Sequence, residues 1–153
     1  MSSPYLDALK MLARRELSEA EVRQRLGRHG HDSDAIDEAI GRLKEERSID
    51  DRRVAEAIAR TQTAVKGRGR LRVRQRLASA GIGAADSKRA IEEVFAELDD
   101  DSLIEAAISK RLRERMTLGS DAEFRRLYRY LIGQGFEHDH IMRALTARRM
   151  TKS

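Results

Sequence analysis

Cysteine and tryptophan are absent from this 153-residue chain, and proline occurs once, at Pro4. Without cysteine there are no disulfides and no thiolate metal ligands, which fits a reducing compartment. With no second proline, helices can run uninterrupted, since an internal proline costs a helix about 3 kcal/mol. Aromatic residues make up only 4%, too few for one thick core and better suited to helices that each bury a narrow aliphatic stripe. No apolar run approaches the roughly 18–20 residues of a membrane span. The opening segment MSSPYLDALK lacks the basic and apolar stretches of a secretory signal, so a cytoplasmic location is expected.

What is present is charge and helix formers. Charged residues reach 37%, and Ala, Leu, Arg and Glu dominate while strand-favouring residues are few, which predicts an all-α fold. The net charge of +5 points to a polyanion or an acidic protein surface as partner.

The sequence repeats itself. VRQRL stands at Val22–Leu26 and again at Val73–Leu77, and a third version, LYRYL, at Leu127–Leu131. A glycine follows the last leucine of each copy by four residues, at Gly30, Gly81 and Gly135. Apolar residues four apart share a helical face, and a glycine just beyond can adopt the left-handed conformation that ends a helix. A second helical pattern follows each glycine: Ile36, Ile40 and Leu43; Ile91 and Val94; Ile141 and Leu145. Another precedes each copy: Leu6, Leu9, Leu12 and Ala13; Val54, Ala57 and Ile58; Leu103, Ile104, Ala107, Ile108 and Leu112.

Ser18 and Glu21 form a capping box before Val22, while Asp50 and Asp99 stand where the first helices of the second and third units begin. The reading is three tandem three-helix units, at about 5–47, 49–97 and 98–150, leaning on one another in an elongated, curved array. Connections inside the units are short except around Lys66–Arg70 and Met116–Ser120. The polar–apolar alternation of Arg70–Arg74 taken alone reads as a strand, but its twin sits behind a capping box, so it is assigned to a helix.

Between Glu56 and Asp86 there is no acid, yet Arg60, Lys66, Arg68, Arg70, Arg72, Arg74 and Arg76 all fall there. On a helix Arg70 and Arg74 flank the Val73/Leu77 stripe on one side, and Arg72 and Arg76 on the other. Cations so close together repel, a cost offset by a negative partner, and Lys66, Arg68, Arg70, Arg72, Arg74 and Arg76 are therefore the expected partner-binding set. The bland alternative is a solvated face neutralised by neighbouring acids. That alternative is preferred for Arg14, Arg15, Arg23, Arg25 and Arg28, which interleave with Glu16, Glu19 and Glu21. Core packing is likewise preferred for Tyr128 and Tyr130 beside Arg125, Arg126 and Arg129.

Nothing points to catalysis. Gly67-Arg68-Gly69 lacks the remaining elements of a nucleotide-binding loop and reads as a flexible connector. His29-x-His31 and His138-x-His140 place their rings on different helix sides with no cysteine to join them, so no metal is expected. Asp99-Asp100-Asp101 lacks calcium-loop spacing and reads as helix capping. No cofactor is implied, and the chain is read as non-enzymatic.

Three passages give the chain a resemblance to the RecX family from about Tyr5 to Arg149. The segment from Ala8 to Val22 is similar to the family's opening A-L-x-x-L-A-R-R-E-x-S-x-x-E-L signature, with Val22 for Leu. Ile49–Ala55 is similar to its L-D-D-x-R-F-A passage. Arg68-Gly69, Arg72–Leu77 and Gly81-Ile82 together are similar to its K-G-x-x-R-I-R-Q-E-L…G-I passage. Val54 and Ile58 replace usual aromatics, Arg76 replaces an acid, and the third unit matches least. The resemblance implies a monomeric regulator that binds RecA and its filament on single-stranded DNA. It also implies inhibition of recombinase, ATPase and coprotease activities, within regulation of DNA repair and the SOS response. The basic central unit alone also fits a protein that grips nucleic-acid phosphates directly. An inert helical scaffold would leave the acid-free arginine stretch unexplained.

Overall fold

A computed structural model describes residues 3–113, 115 and 117–149. Met116 and Met150, which the sequence reading places in a connection and at the end of the third unit, lie outside the described residues. Nine α-helices and one π-helical turn follow in order: α1 Pro4–Arg14, α2 Glu19–Arg28, α3 Ser33–Glu45, α4 Asp51–Arg60, the π turn Thr61–Val65, α5 Arg70–Ser79, α6 Ala84–Glu97, α7 Asp100–Leu112, α8 Asp121–Gly133 and α9 His138–Ala147. Among the described residues there is no strand, only a single bridge between Leu118 and Arg149. The alternating segment 70–74 is helical, within α5.

Local chemistry sets the helix ends. Ser18 accepts from the Glu21 amide while the Glu21 side chain accepts from the Ser18 amide, the reciprocal pair of a capping box. Asp50 accepts from the Arg52 and Arg53 amides, and Asp99 from Ser102, so each aspartate satisfies donors that the first helical turn leaves open. The Ser102 amide holds the Asp99 carboxyl below the usual aspartate range. Gly30, Gly81 and Gly135 have φ of 88°, 76° and 96°, as the repeat requires.

The core is not three equal parts. Ala8, Leu17, Val22, Leu26, Ile36, Ile40 and Leu43 of the first unit form one cluster, which takes in Ile49 at the start of the second. A single larger cluster spans α4 to α9, from Val54 through Leu77, Ile104 and Leu131 to Leu145. The second and third units therefore share one core while the first has its own. The exposed area of 9,895 Å² for 17.4 kDa exceeds the roughly 7,900 Å² of a compact protein that size, so the array is extended.

Two predicted stripes hold only in part: Leu9, Leu12, Val54 and Ile58 pack on the cores as expected, but their companions do not. In α1 the buried residue is Ala8, whereas Leu6 and Ala13 are exposed. Tyr5 turns toward α3, where its hydroxyl donates to Glu46 at 2.6 Å and the Arg42 guanidinium lies 3.8 Å from its ring centre. In α4 the buried face is Val54, Ala55 and Ala59, with Ala57 exposed, and α4 packs on both α6 and α5.

The joints between units repeat one theme. At the first, the Ser18 hydroxyl donates to the Ala80 carbonyl and Gly81 closes on Ala20. At the second, the Gly69 amide donates to the Gln134 carbonyl at 2.9 Å and the Leu71 amide to the Gly135 carbonyl at 3.0 Å. The N-terminus of each middle helix thus meets the C-terminal turn of the next middle helix. Gly69 also packs against the fully buried Phe136, which extends the shared core across the second joint.

Polar contacts hold the first joint. Arg53 pairs with Glu16, and the Asp51 carboxylate accepts from the Glu19 amide at 2.8 Å. Burial raises the Asp51 pKa, the Glu19 amide opposes, and the charges of Glu19 and Asp86 raise it further. Glu19 itself is held low by its hydrogen bond from Lys44. A carboxyl with a raised folded-state pKa stabilises fully below its unfolded pKa and loses that contribution as pH rises through the folded value. Asp51→Asn keeps the acceptor and removes the charge. Its melting temperature is expected above the parent's at neutral pH, with the gap closing in acid, as a pH series of thermal scans will read.

Candidate functional site

The second unit's basic residues sit on and beside α5. The π turn leads into them: Thr63 donates to the Ala59 carbonyl at 2.8 Å, and Gln62 and Thr63 are buried although polar. Turns of this kind interrupt helices where a function fixes an unusual backbone. Gln62 accepts from the Arg68 side chain at 3.0 Å, and its carbonyl accepts from the Arg68 amide at 2.9 Å. The Gly67–Gly69 connector is therefore pinned at each residue, with Gly67 bonded to Thr63, instead of flexible as the sequence suggests. Gly69 serves a close internal approach, lying against Gly135 and Phe136, whereas Gly67 has a φ of 66° and meets nothing within 4 Å.

The six cations have different surroundings. Lys66 and Arg74 are exposed, with no carboxylate partner among the described residues. Arg72 donates to the Gly133 carbonyl at 3.3 Å and Arg76 to the Ser79 hydroxyl at 3.2 Å, so both meet only neutral oxygens. Arg68 meets the neutral Gln62. Arg70 departs from the expectation of an unanswered charge: Asp100 of the third unit bonds it at 3.1 Å, and it lies 4.5 Å from the centre of the Phe95 ring. Sequence distance hid that acid, which the second joint brings back against α5.

The two flanks of α5 open onto different surfaces. Arg70 and Arg74 border a groove between α5 and α6. Arg76 and Lys66 border a smaller recess, of about 230 Å³, between α4 and the corner of the first unit. Arg15 and Glu16 join that recess from the first unit, an addition that only packing reveals; Arg15 has its own acid, Glu21, at 3.6 Å, and Glu16 pairs with Arg53.

In the first unit some charges are answered internally, while Arg14, Arg25 and Arg28 have no ion pair among the described residues. Arg23 pairs with Glu19 at 3.4 Å and Asp37 at 2.5 Å. Tyr128 and Tyr130 pack against the larger core; Tyr128 bonds His138 at 2.7 Å, and Arg111 covers the Tyr130 ring. His31 bonds Asp7 at 2.6 Å. Among the described residues no three His, Asp or Glu side chains group as metal ligands, and no helix is long and apolar enough to cross a membrane.

Comparison with known proteins agrees with this architecture. The family model described as "RecX, first three-helix domain" matches residues 5–43, and "RecX, second three-helix domain" matches residues 50–91. The chain is 36% identical over 149 residues to regulatory protein RecX of Acidithiobacillus ferrooxidans, covering 97% of this chain and 92% of that protein. It is 31% identical over 140 residues to its counterpart in Chlorobaculum tepidum, covering 92% and 84%. A relative from Geobacillus kaustophilus is 34% identical over 144 residues, but the match spans only 52% of that longer protein. The crystal structure of RecX from Lactobacillus salivarius superposes with a TM-score of 0.73 at 21% identity, covering 94% of this chain and 93% of the other, a likeness of fold.

Proposed function

The chain belongs to the RecX family of regulatory proteins, and on that premise we propose that it binds RecA and the RecA filament on single-stranded DNA and restrains the filament's ATPase, recombinase and coprotease activities. In this reading it is a cytoplasmic, non-enzymatic monomer that moderates DNA repair and the SOS response. Its working parts are the three units at about 5–47, 49–97 and 98–150.

One observation carries the proposal: of six clustered cations on the second unit, five have no internal carboxylate among the described residues, Arg70 alone being answered. Leaving like charges together without a counter-ion costs stability unless a negative partner supplies it. An extended row of units also lets several weak contacts act at once on a repeating filament.

The test is the DNA-dependent ATPase of RecA with substoichiometric amounts of this protein. The parent is expected to inhibit. Lys66→Glu, Arg74→Glu and Arg76→Glu combined, with Arg72 spared because it holds the second joint, are expected to abolish inhibition while leaving the helical circular dichroism intact. Equal inhibition by the triple variant rejects this surface. Salt separates the alternative in which the cations grip bare DNA. Five neutralised phosphates on a single strand give a log–log slope of roughly −3.5. Inhibition that persists at salt where binding to oligothymidylate is lost supports a protein-mediated contact, and inhibition lost in parallel with it supports phosphate gripping.

A further inference from the structure

The internal repeat allows one groove to be compared at matching positions. The offset that carries Val22 onto Val73 carries Arg23 onto Arg74 and Asp37 onto Lys88. In the first unit Arg23 reaches from α2 to Asp37 on α3 at 2.5 Å, an ion pair that ties the two helices together. In the second unit the same two positions carry Arg74 and Lys88, which border one groove between α5 and α6. The acid of the pair has become a cation. In the third unit the corresponding residues are Tyr128, bonded to His138, and Met142, packed on the core. Only the second unit presents two cations there.

That groove measures about 610 Å³, and its floor is aliphatic, formed by the exposed Ala78 and Ala84 with the buried Ile82 and Ile91 beneath them. Among the described residues Glu92 is the only acid along it, and Arg70 at its end is already answered by Asp100. No aromatic side chain lines it. Single-stranded nucleic acid binds through stacking on aromatic rings combined with closely tracked phosphates, and an aliphatic trough supplies no such platform. An amphipathic helix needs what is present: an apolar trench for residues one turn apart, and cations along the rim for flanking carboxylates. The ten residues of α5 extend about 15 Å, enough to accept two to three turns.

We infer that the α5–α6 groove is a docking slot for an acidic amphipathic helix of a protein partner, with Arg74 and Lys88 taking its carboxylates and the aliphatic floor around Ala78 and Ala84 its apolar side chains. The inference deepens the proposed role and rests on it for the partner's identity. It also divides the labour on α5, leaving Lys66 and Arg76 on the opposite flank for other contacts.

Two measurements test it. The first uses no RecA: fluorescence anisotropy of a labelled three-turn peptide with leucines at i, i+4 and i+7 and glutamates beside them. The parent is expected to bind it. Lys88→Asp, which restores the acid found in the first unit and bridges the groove with Arg74, is expected to weaken binding at least tenfold. Lys66→Glu with Arg76→Glu is expected to change it less than twofold. A peptide that ignores the parent, or binds Lys88→Asp equally well, overturns the slot. The second measurement is inhibition of the RecA ATPase by Lys88→Asp, expected to fall at least tenfold. A parent that binds peptide but does not inhibit RecA refutes the proposed role and leaves the slot standing. A parent and Lys88→Asp that inhibit RecA equally do the reverse.

Discussion

Leu26→Ala is expected to unfold the first unit and leave the other two folded. Leu26, Leu77 and Leu131 are the same repeat position, and all three are fully buried. Truncating such a leucine costs about 2–5 kcal/mol, by lost transfer energy and the cavity left behind. The first unit must meet that cost from a core of eight buried residues, all its own but Ile49, joined to the second unit by hydrogen bonds and ion pairs. Exposed ion pairs contribute roughly 0–1 kcal/mol each, so the joint cannot transmit much stability across. Leu131→Ala loses the same atoms from a core that runs unbroken from α4 to α9. Its cost spreads over both units, and they are expected to lose protection together. Hydrogen exchange read by mass spectrometry distinguishes the two: amides of α1–α3 near unfolded rates in Leu26→Ala, and a uniform fall over α4–α9 in Leu131→Ala. A uniform loss over all nine helices in Leu26→Ala would refute the division of the core.

Gly135→Ala is expected to cost about 3–4 kcal/mol and to detach the second joint. A left-handed backbone costs a non-glycine residue roughly 1–2 kcal/mol. An added Cβ would also lie 2.3 Å from the Arg72 Cβ and 2.4 Å from its amide nitrogen. That neighbour is mostly backbone and cannot swing aside, so the turn must retreat. Retreat breaks the bonds from the Gly69 and Leu71 amides to the Gln134 and Gly135 carbonyls, each worth about 1 kcal/mol. Gly30→Ala is the internal control, because Gly30 also has positive φ but meets nothing within 4 Å. The difference between the two variants in denaturant midpoint measures the joint itself. Equal losses would mean that the close approach contributes nothing.

The two variants also mark where sequence reading was sufficient. The repeat was visible because one helix type recurs with its terminating glycine, and because capping residues act through local hydrogen bonds that spacing alone reveals. Ser18, Asp50 and Asp99 each cap the helix that follows them for that reason. The buried faces of α3, α7 and α9 were legible too, since their apolar residues keep an unambiguous helical period. In α1 and α4 the stripe is legible only in part. Alanines are neutral in any periodicity, and which one is buried depends on how closely the neighbouring helix approaches.

The cationic cluster was legible as a count and illegible as a surface. Composition says that acids are missing between Glu56 and Asp86 but not which distant acid returns, and Asp100 reaches Arg70 across a joint between units. Nor does a helical wheel say that Lys88 of α6 shares a groove with Arg74, or that Arg15 joins Lys66 and Arg76.

Sequence by itself determined the helical class, the threefold repeat, the capped starts at Ser18, Asp50 and Asp99 and the excess of positive charge, because each depends on composition or on interactions within a turn or two of chain. Tertiary structure alone decided that the first unit keeps a separate core, that the connector before α5 is pinned, and that one groove faces solvent with two cations on its rim. Those outcomes depend on which surfaces meet across tens of residues, and the free energy of such meetings is set by shape and distance rather than by local pattern.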